Sequence, residues 1–250
     1  MKSAAILAAK EAGKILMRNF GKKLKFRSKG KEGLVSEVDI ACDKKIKEII
    51  SKKYPDHNFV TEESPPTNKK SEYTWYIDPL DGTHNYLHGI PLFGVSIALE
   101  KNKQIVLGVI YLPYYDELFV AEKGKGAYCN GKRIRVSIND NVFNSFVVVS
   151  AMFRHTREKG IALLKKISGT VYDIRMYGCA VFHLLLVAKG NIDAYLITTT
   201  TPWDISAGLL LVSEAGGSYT DWKGKQVNHL STEFLISNGK IHNQLLKLLR

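Results

Sequence analysis

The apolar positions at the start of the chain recur at helical spacing and predict two amphipathic helices. The first covers residues 2–20 and ends at Gly21, and the second runs from about residue 40 to residue 53, before Pro55. Gly and Pro are common at such ends, because Gly adopts left-handed backbone conformations and Pro cannot continue the helical hydrogen bonds. Both helices therefore present one apolar face for packing against the rest of the fold.

Short apolar runs separated by turn residues follow the second helix and predict strands. The predicted strands are residues 57–61, 73–77, 93–100, 105–112 and 117–122. Turns at Asn102-Lys103 and at residues 113–116 would connect the last three as antiparallel hairpins. The polar, proline-containing residues 64–71 are predicted to form a loop.

At about residue 146 the pattern changes to an alternation of strands and helices. Predicted strands are residues 147–150, 171–174 and 194–197, and predicted helices are residues 158–167, 180–189 and 205–215. Such alternation is typical of an α/β architecture. The sequence thus predicts an α+β half over residues 1–145 and an α/β half over residues 146–250, packed as one functional unit.

Composition narrows the class of protein. With 250 residues, 45% of them hydrophobic, the chain can bury a sizeable core. No apolar run approaches the ~18 residues that a transmembrane helix needs, and Lys10, Glu11 and Lys14 interrupt the N-terminal apolar stretch, which argues against a signal peptide. Three widely separated cysteines without CxxC spacing disfavour a disulfide or zinc framework and favour a reducing cytoplasm.

The net charge of +12 favours anionic partners, either small substrates or nucleic acid. Most lysines are spread along the whole chain, and the only dense basic segment is residues 22–29. We interpret this segment as a solvated loop and strand edge rather than a nucleic-acid groove. Lysine-rich surfaces are also common in thermophilic proteins, so the charge alone does not assign a partner.

The feature with the clearest chemistry is an acidic turn, DPLDGT, that follows an apolar strand. Asp78 would end the strand and Asp81 would begin a short helix, so that the two carboxylates lie close together. Gly82 and Thr83 would place backbone N–H groups where a phosphate can approach them. The Thr83 hydroxyl would be available to orient a water molecule.

The interpretation of this turn depends on three more acidic residues, Asp39, Glu62 and Asp204. Together with the Leu80 carbonyl, the set supplies only hard oxygen ligands, which select Mg²⁺ or Mn²⁺ over zinc. A magnesium cluster without a nucleotide-binding loop favours metal-assisted phosphate hydrolysis. Simpler interpretations stay open for each residue alone, since Asp39, Asp81 or Asp204 would also serve as helix N-caps and Glu62 as a solvated loop charge.

In this order, the motifs resemble the inositol monophosphatase family, within the fructose-1,6-bisphosphatase-like superfamily of magnesium-dependent, lithium-sensitive phosphatases. The matching segments cover nearly the whole chain and are residues 35–39, 62–64, 78–85, 124–127, 178–180, 203–204 and 214–217. The resemblance implies an α/β fold, the layered αβαβα sandwich of this superfamily. It also implies a homodimer and a small-molecule phosphate ester as substrate.

Carried over residue by residue, the resemblance implies a site with two to three Mg²⁺ ions, which Mn²⁺ can replace. Glu62, Asp78 and the Leu80 carbonyl would hold the first ion. Asp78, Asp81 and Asp204 would hold the second, and Glu62 would support a loosely held third. No covalent phosphoenzyme is required, because the attacking group is water.

The resemblance also implies catalytic roles for Thr83, Asp39 and Glu62, the first two by orienting the attacking water. The implied substrate contacts are Asp81, Gly82, Thr83, Gly178, Cys179, Ala180 and Asp204. Cys179 stands where a Thr is common, and as a backbone contact it is expected to matter little. Arg175 or nearby lysines would receive a second phosphate group. Four histidines lack ligand-like spacing and are interpreted as structural or surface residues: His84, His88, His155 and His183.

One departure from the family pattern concerns specificity. Inositol-specific members carry a Glu seven residues before the Asp that matches Asp204, and here that position is Ile197. The predicted function is therefore hydrolysis of a sugar or polyol phosphate monoester, with fructose-1,6-bisphosphate as an alternative or additional substrate. A 3′-phosphoadenosine phosphate substrate is disfavoured, because enzymes for it are usually longer. A protein that binds nucleic acid or a transcription factor on the same fold is a further alternative, motivated by the charge.

Overall fold

The computed structural model describes residues 1–28, 34–151 and 153–250. Lys29 of the basic segment and the side chain of His155 lie outside the described residues, so the interpretations of these two positions are not tested. Within the described ranges, no helix is both long enough and apolar enough to cross a bilayer.

The helices in the described residues are α1 (Lys2–Asn19), α2 (Glu37–Lys53), α3 (Thr83–Leu87), α4 (Phe153–Ile167), α5 (Ala180–Ala188), α6 (Pro202–Glu214) and α7 (His242–Leu249). The strands are β1 (Phe26–Ser28), β2 (Leu34–Ser36), β3 (Asn58–Thr61), β4 (Tyr73–Asp81), β5 (Gly94–Lys101), β6 (Gln104–Leu112), β7 (Glu117–Glu122), β8 (Ala127–Cys129), β9 (Lys132–Arg133), β10 (Phe146–Ser150), β11 (Asp173–Arg175), β12 (Ala194–Ile197), β13 (Ser218–Thr220) and β14 (Phe234–Ser237).

Two sheets and three helical layers make up the molecule. Strands β3 to β9 form a seven-stranded sheet in sequence order, and the second sheet has five strands in the order β11-β10-β12-β14-β13. Helices α5 and α6 lie between the sheets, α1 and α2 cover the outer face of the first, and α4 and α7 cover that of the second. This arrangement confirms the predicted αβαβα sandwich. The hairpin β1–β2 belongs to neither sheet.

The middle layer is more apolar than the outer ones because it is buried on both sides. The α5 sequence AVFHLLLVA and the α6 segment that runs from residue 205 to residue 212 are almost continuously apolar, and both pack against the two sheets. By contrast, α1 and α2 bury a single stripe, as expected for helices with one face in water. The division of the chain at residue 145 remains a prediction.

Several predicted element boundaries differ from the structure, among them the starts of α4 and β11, and three of the differences involve candidate site residues. Helix α2 begins at Glu37 because Ser36 caps it, so Asp39 lies in the first helical turn rather than before it. Helix α6 begins at Pro202, which places Asp204 likewise in the first turn. Strand β4 continues to Asp81, and the residue that caps α3 is Gly82. The N-cap interpretations of these three aspartates are therefore incorrect.

Candidate active site

The acidic turn lies at the C-terminal end of β4, inside the protein. Asp78 is only 1% exposed, and its Oδ1 accepts a hydrogen bond of 2.9 Å from the Leu80 N–H. The pairing with β5 shifts register between Asp78 and Asp81, which lets the chain turn there. Gly82 has a φ of 86°, and a Cβ atom at this position would lie 2.7 Å from the Leu92 carbonyl oxygen. Only glycine fits this turn.

Strand pairing brings Glu62 to the same place. Strands β3 and β4 are parallel, and Thr61 at the end of β3 lies opposite Ile77. The Glu62 N–H continues this ladder with a 3.2 Å hydrogen bond to the Ile77 carbonyl. Because parallel strands end at the same edge of a sheet, Glu62 follows its strand beside Asp78. Its negative charge is one of the causes that raise the pKa of Asp78.

Asp81 links the acidic turn to the middle layer of helices. Its Oδ2 accepts hydrogen bonds from the Val181 N–H at 2.5 Å and from the Cys179 thiol at 3.1 Å, both at the start of α5. The expectation that Cys179 contributes only its backbone is therefore wrong. Burial raises the pKa of the Cys179 thiol well above its ordinary value, so the group stays a neutral donor to the carboxylate.

Asp204 approaches from the other helix of the middle layer. Its Oδ2 lies 3.4 Å from two donors that precede α6, the Thr200 hydroxyl and the Thr201 N–H. These contacts orient the carboxylate toward the end of β4, where Asp78 lies. Burial and the charge of Asp81 raise the pKa of Asp204, and interaction with the Asp78 carboxyl group opposes that rise. The two groups thus meet although they are more than a hundred residues apart in the chain.

Because the carboxyl groups of the site are buried close together, they do not all ionise readily. Burial, followed by the charges of Glu62, Asp81 and Asp204, raises the pKa of Asp78 well above its usual range. Burial raises the pKa of Asp81 to about 6 against the hydrogen bonds from α5. Burial and the Asp81 charge raise the pKa of Asp204, also to about 6. Like charges this close are stable together only when protons or cations compensate them.

The chemical character of these residues suits hard divalent cations, although their side chains are not arranged as a complete metal site in this structure. Within the described ranges, no group of three or more His, Cys, Asp or Glu side chains is already arranged as a metal site. Asp81 and Asp204 each accept hydrogen bonds from neighbouring donors in this arrangement. The donor set nevertheless consists of oxygen alone, as Mg²⁺ and Mn²⁺ prefer. A cation would also relieve the mutual repulsion that raises the carboxyl pKa values.

A second polar pair lies beside the carboxylates. The Thr83 hydroxyl is within hydrogen-bond distance of the Asp39 Oδ1, at 3.1 Å, and of the Leu80 carbonyl, at 3.0 Å. Asp39 is fully buried, and its Oδ2 accepts hydrogen bonds from the Ser36 N–H and hydroxyl. Burial raises the pKa of Asp39, while the hydrogen bonds from Ser36 and Thr83 oppose that shift. One carboxylate thus holds the start of α2 and the Thr83 hydroxyl together.

The carboxylates Glu62, Asp78, Asp81 and Asp204 line one solvent-accessible cavity of about 180 Å³ together with Thr83, and Asp39 does not. Its walls are formed by Leu34, Glu62, Asp78, Leu80, Asp81, Gly82, Thr83, His84, Gly178 and Asp204. Leu34 belongs to no sequence motif, and His84 was predicted only to be a structural or surface residue. His84 is exposed, and its position directly after Thr83 was the one available signal. Leu34 gave none, because no motif marks a residue that reaches the site from a separate hairpin.

Several predicted substrate contacts do not reach this cavity. Arg175 forms an ion pair with Asp173 at the exposed edge strand β11, and no described residue that lines the cavity is Lys or Arg. Cys179 is buried, and neither Cys179 nor Ala180 is among the residues that line the cavity. Ile197 is 0% exposed and packs in the core between the sheets, so its side chain offers no surface to a ligand.

The remaining histidines have other positions. His88 is exposed at the end of α3. His183 is fully buried; its Nε2 accepts the Tyr177 N–H at 3.1 Å, and burial lowers its pKa to about 3. His183 is thus a neutral residue that supports the chain just before Gly178.

The raised carboxyl pKa values predict how the metal-free protein responds to pH. Because Asp204 has a pKa near 6 when folded and 3.8 as its reference value, it costs stability above pH 6, and this cost fades as the pH falls toward 4. Asp204→Asn removes the cost and retains an amide that can hydrogen-bond to Asp78. In chelator at pH 8, we expect this variant to melt roughly 5 °C or more above the wild type, from 1.36 kcal/mol per pKa unit and about 2–4 °C per kcal/mol.

The measurement is the difference in melting temperature between variant and wild type at pH 8 and at pH 5. The buried neutral histidines have lowered pKa values, which favour unfolding at acidic pH in both proteins. Their contribution to the melting temperature therefore cancels in the difference. The advantage of the variant should shrink at pH 5. If the two melting temperatures are equal at pH 8, or if their difference grows as the pH falls, the claim that ionised Asp204 destabilises the folded protein is wrong.

Comparison with known proteins gives a consistent result. The model of the inositol monophosphatase family matches residues 1–250. The fructose-1,6-bisphosphatase/inositol-1-monophosphatase of Aquifex aeolicus is 43% identical over 86% of this chain and 83% of its own length. The Nus factor SuhB of Pasteurella multocida is 37% identical over 90% of this chain and 86% of its own.

A solved structure shares the fold at high similarity. The extragenic suppressor protein suhB of Bartonella henselae superposes with a TM-score of 0.94 at 36% identity, covering 100% of this chain and 98% of that one. The match over the full length includes both sheets and the helices that carry the acidic residues. The chain therefore belongs to the inositol monophosphatase family, whose members are phosphatases.

Proposed function

We propose that this protein is a Mg²⁺-dependent phosphatase that hydrolyses sugar or polyol phosphate monoesters of the inositol 1-phosphate type. The proposal rests on one observation, which is that a single open cavity is lined by Thr83 and four carboxylates, Glu62, Asp78, Asp81 and Asp204. A buried cluster of like charges costs stability, and such clusters persist where they bind something that compensates them. Release of inorganic phosphate from such esters, with and without Mg²⁺, tests the proposal.

In this proposal the cations are held as follows. Glu62, Asp78 and the Leu80 carbonyl would hold the first, Asp78, Asp81 and Asp204 would hold the second, and Glu62 would support a third. When bound, Mg²⁺ or Mn²⁺ lowers the pKa of water and neutralises charge on the leaving oxygen. The protein contributes the placement of these oxygens, which come from the ends of β3 and β4 and the start of α6.

Thr83 and Asp39 have a separate role in the reaction, that of orienting the attacking water. The Thr83 hydroxyl donates a hydrogen bond to Asp39, so that the lone pairs of its oxygen can accept a hydrogen bond from water. The substrate phosphate lies against Gly82 and Thr83, where the absence of a Cβ at Gly82 allows close approach. The alcohol part lies toward Gly178, on the opposite wall of the cavity.

Thr83→Ala should lower kcat by about 10²-fold with little change in KM, because the lost hydrogen bond matters mainly in the transition state. Thr83→Ser retains the hydroxyl and is the matched control, expected to keep most of the activity. Steady-state kinetics on one ester at saturating Mg²⁺ provides the measurement. If KM rises and kcat is unchanged, Thr83 is a phosphate contact and does not orient water.

For the substrate, we propose that the enzyme is not confined to inositol phosphates. The support is that Ile197 replaces a glutamate of inositol-specific members, and that the Aquifex relative is named for both activities. A site without a hydrogen bond to a given hydroxyl discriminates weakly against substrates that lack it. The described cavity wall has no cationic side chain for a second phosphate, which favours monophosphates over the fructose-1,6-bisphosphate alternative.

We expect kcat/KM values for inositol 1-phosphate, glycerol 2-phosphate and fructose-1,6-bisphosphate to fall within about tenfold to a hundredfold of each other. The comparison uses wild-type protein at saturating Mg²⁺. Ile197→Glu is a poor probe, because the side chain at this position is fully buried and a charge there would destabilise the core. A preference of several hundred-fold for inositol 1-phosphate would contradict broad specificity.

A second candidate function is binding of nucleic acid or of a transcription factor. It is motivated by the net charge of +12 and by relatives named Nus factor SuhB. A nucleic-acid binder loses affinity steeply with salt, because each phosphate contact releases counterions. Retention on RNA that is weak and nearly independent of salt would leave the phosphatase as the only supported function.

We further propose a homodimer and a cytoplasmic location. The dimer rests on membership of the family, and sedimentation velocity would measure it directly. The location rests on Cys42, Cys129 and Cys179, which are all free thiols in this fold. Thiol titration of protein purified without reductant should then give three reactive groups after unfolding.

A further inference from the structure

Helix α2 carries a second buried carboxylate, Asp43, one turn after Asp39. Asp43 is 4% exposed although it is charged, and the proposed reaction assigns it no role. A spacing of four residues places both side chains on the same face of the helix. Asp39 contacts Thr83 on that face, and Asp43 contacts a different part of the active site.

The contacts of Asp43 form a closed polar network. Its Oδ2 lies 2.6 Å from the Lys47 Nζ and accepts a hydrogen bond of 3.0 Å from the Ser64 hydroxyl. Lys47 also donates to the Ser64 Oγ at 2.6 Å, and the Thr61 hydroxyl lies 2.8 Å from the same oxygen. Ser64 is thus the centre of the network and touches three polar side chains. Charge-assisted hydrogen bonds of this kind are stronger than neutral ones.

The network surrounds the segment that carries Glu62. Thr61 ends β3 and Ser64 follows the Glu62-Glu63 turn, so the network holds the turn at both of its ends. The backbone of the turn is fixed in addition by the hydrogen bond from Glu62 to Ile77. The other oxygen of Asp43, Oδ1, is buried and has no hydrogen-bond partner among the described residues. The Asp43 carboxylate is therefore held through Oδ2 alone.

We propose that Asp43, Lys47 and Ser64 are positioning residues that set the place of Glu62 relative to Asp39. Helix α2 then acts as a common support, with Asp39 fixing the hydroxyl that orients water and Asp43 fixing the turn that supplies a cation ligand. The inference rests on the proposed role of Glu62 in the phosphatase reaction. Partners that orient metal ligands affect metal affinity by about 10–100-fold when removed.

The test is Mn²⁺ binding to the full chain, followed by electron paramagnetic resonance of free Mn²⁺. Ser64→Ala should weaken the tightest Mn²⁺ site by about tenfold, while kcat at saturating Mn²⁺ changes by less than about twofold because Glu62 itself is intact. Ser64→Thr restores a hydroxyl at this position and should recover most of the affinity. Glu48→Gln, on the exposed side of the same helix, is the matched control and should bind as the wild type does.

Asp43→Asn should show the same loss of Mn²⁺ affinity. It also leaves Lys47 beside an uncharged group, so if this variant does not fold, Ser64→Ala decides the question. A Ser64→Ala protein that melts at a lower temperature in chelator but binds Mn²⁺ like the wild type would show a purely structural anchor and overturn the proposal.

The outcome also separates this inference from the proposed function. Wild-type protein that binds Mn²⁺, with weaker binding in Ser64→Ala, supports the network even if no phosphate ester is hydrolysed. Wild-type protein that hydrolyses esters, with unchanged Mn²⁺ affinity in Ser64→Ala, refutes the network and leaves the phosphatase proposal intact.

Discussion

Chelation of divalent cations should abolish phosphate release, and addition of Mg²⁺ or Mn²⁺ should restore it. The candidate site contains oxygen donors only, and the pKa values of Asp78, Asp81 and Asp204 are all raised, so the carboxylates need compensating charge to ionise together at neutral pH. A catalytic cation is worth several kcal/mol, and 1.36 kcal/mol corresponds to a tenfold change in rate. The expected loss is therefore about 10³-fold or more.

The measurement is the initial rate of phosphate release in excess chelator and after titration with Mg²⁺, Mn²⁺ or Ca²⁺. Circular dichroism of the same sample shows whether the chelated protein is still folded, which separates lost chemistry from lost structure. Full turnover in excess chelator would exclude a mechanism that depends on these carboxylates as cation ligands.

Asp204→Asn and Asp81→Asn should each reduce kcat by about 10²-fold or more, the scale seen when one electrostatic catalytic group is removed. Each substitution removes a negatively charged ligand from the second proposed cation site, so the cation that would stabilise the leaving oxygen would be bound less tightly. Asp204→Asn keeps the acceptor oxygen that faces Thr200 and Thr201, so the start of α6 should be preserved. Asp81→Asn also weakens the hydrogen bond that the Asp81 carboxylate accepts from the Val181 N–H of α5, so it should have the larger effect on structure.

Steady-state kinetics at several Mg²⁺ concentrations measures this effect. Asp56→Asn removes the same charge at an exposed position and is the control, with activity close to that of the wild type. Near-normal kcat in both site variants would mean that neither carboxylate acts on the transition state, and the assignment of the second cation would have to be abandoned.

The fold was predictable where the pattern was long and periodic. The strands β5 to β7 and their hairpins follow from alternation and turn residues, and Asn102 and Lys103 have the positive φ angles that the first hairpin requires. The short strands β9 and β13 were not predicted, because pairing with a neighbour forms them rather than their own propensity. Helix starts were missed at α2 and α6, whose N-cap residues are Ser36 and Thr201.

The carboxylates of the site were predictable, but what holds them was not. The motif around Asp78 and Asp81 is local, so the sequence displays it directly. By contrast, the hydrogen bond from Cys179 to Asp81 joins residues 98 positions apart, and no local sequence pattern predicts such a contact. The ion pair of Arg175 with Asp173 at a sheet edge was not predicted either, since charge alone suggested a ligand contact for Arg175.

The most direct test of the account measures bound Mn²⁺ and phosphate release on the same sample as the metal is titrated. For the wild type, the rate with inositol 1-phosphate should rise in step with occupancy of the carboxylate site. Asp204→Asn should bind less Mn²⁺ and remain slow at every concentration. Phosphate release that precedes Mn²⁺ binding, or full occupancy without hydrolysis of any sugar or polyol phosphate, would contradict the claim that these carboxylates form the catalytic centre of a phosphatase.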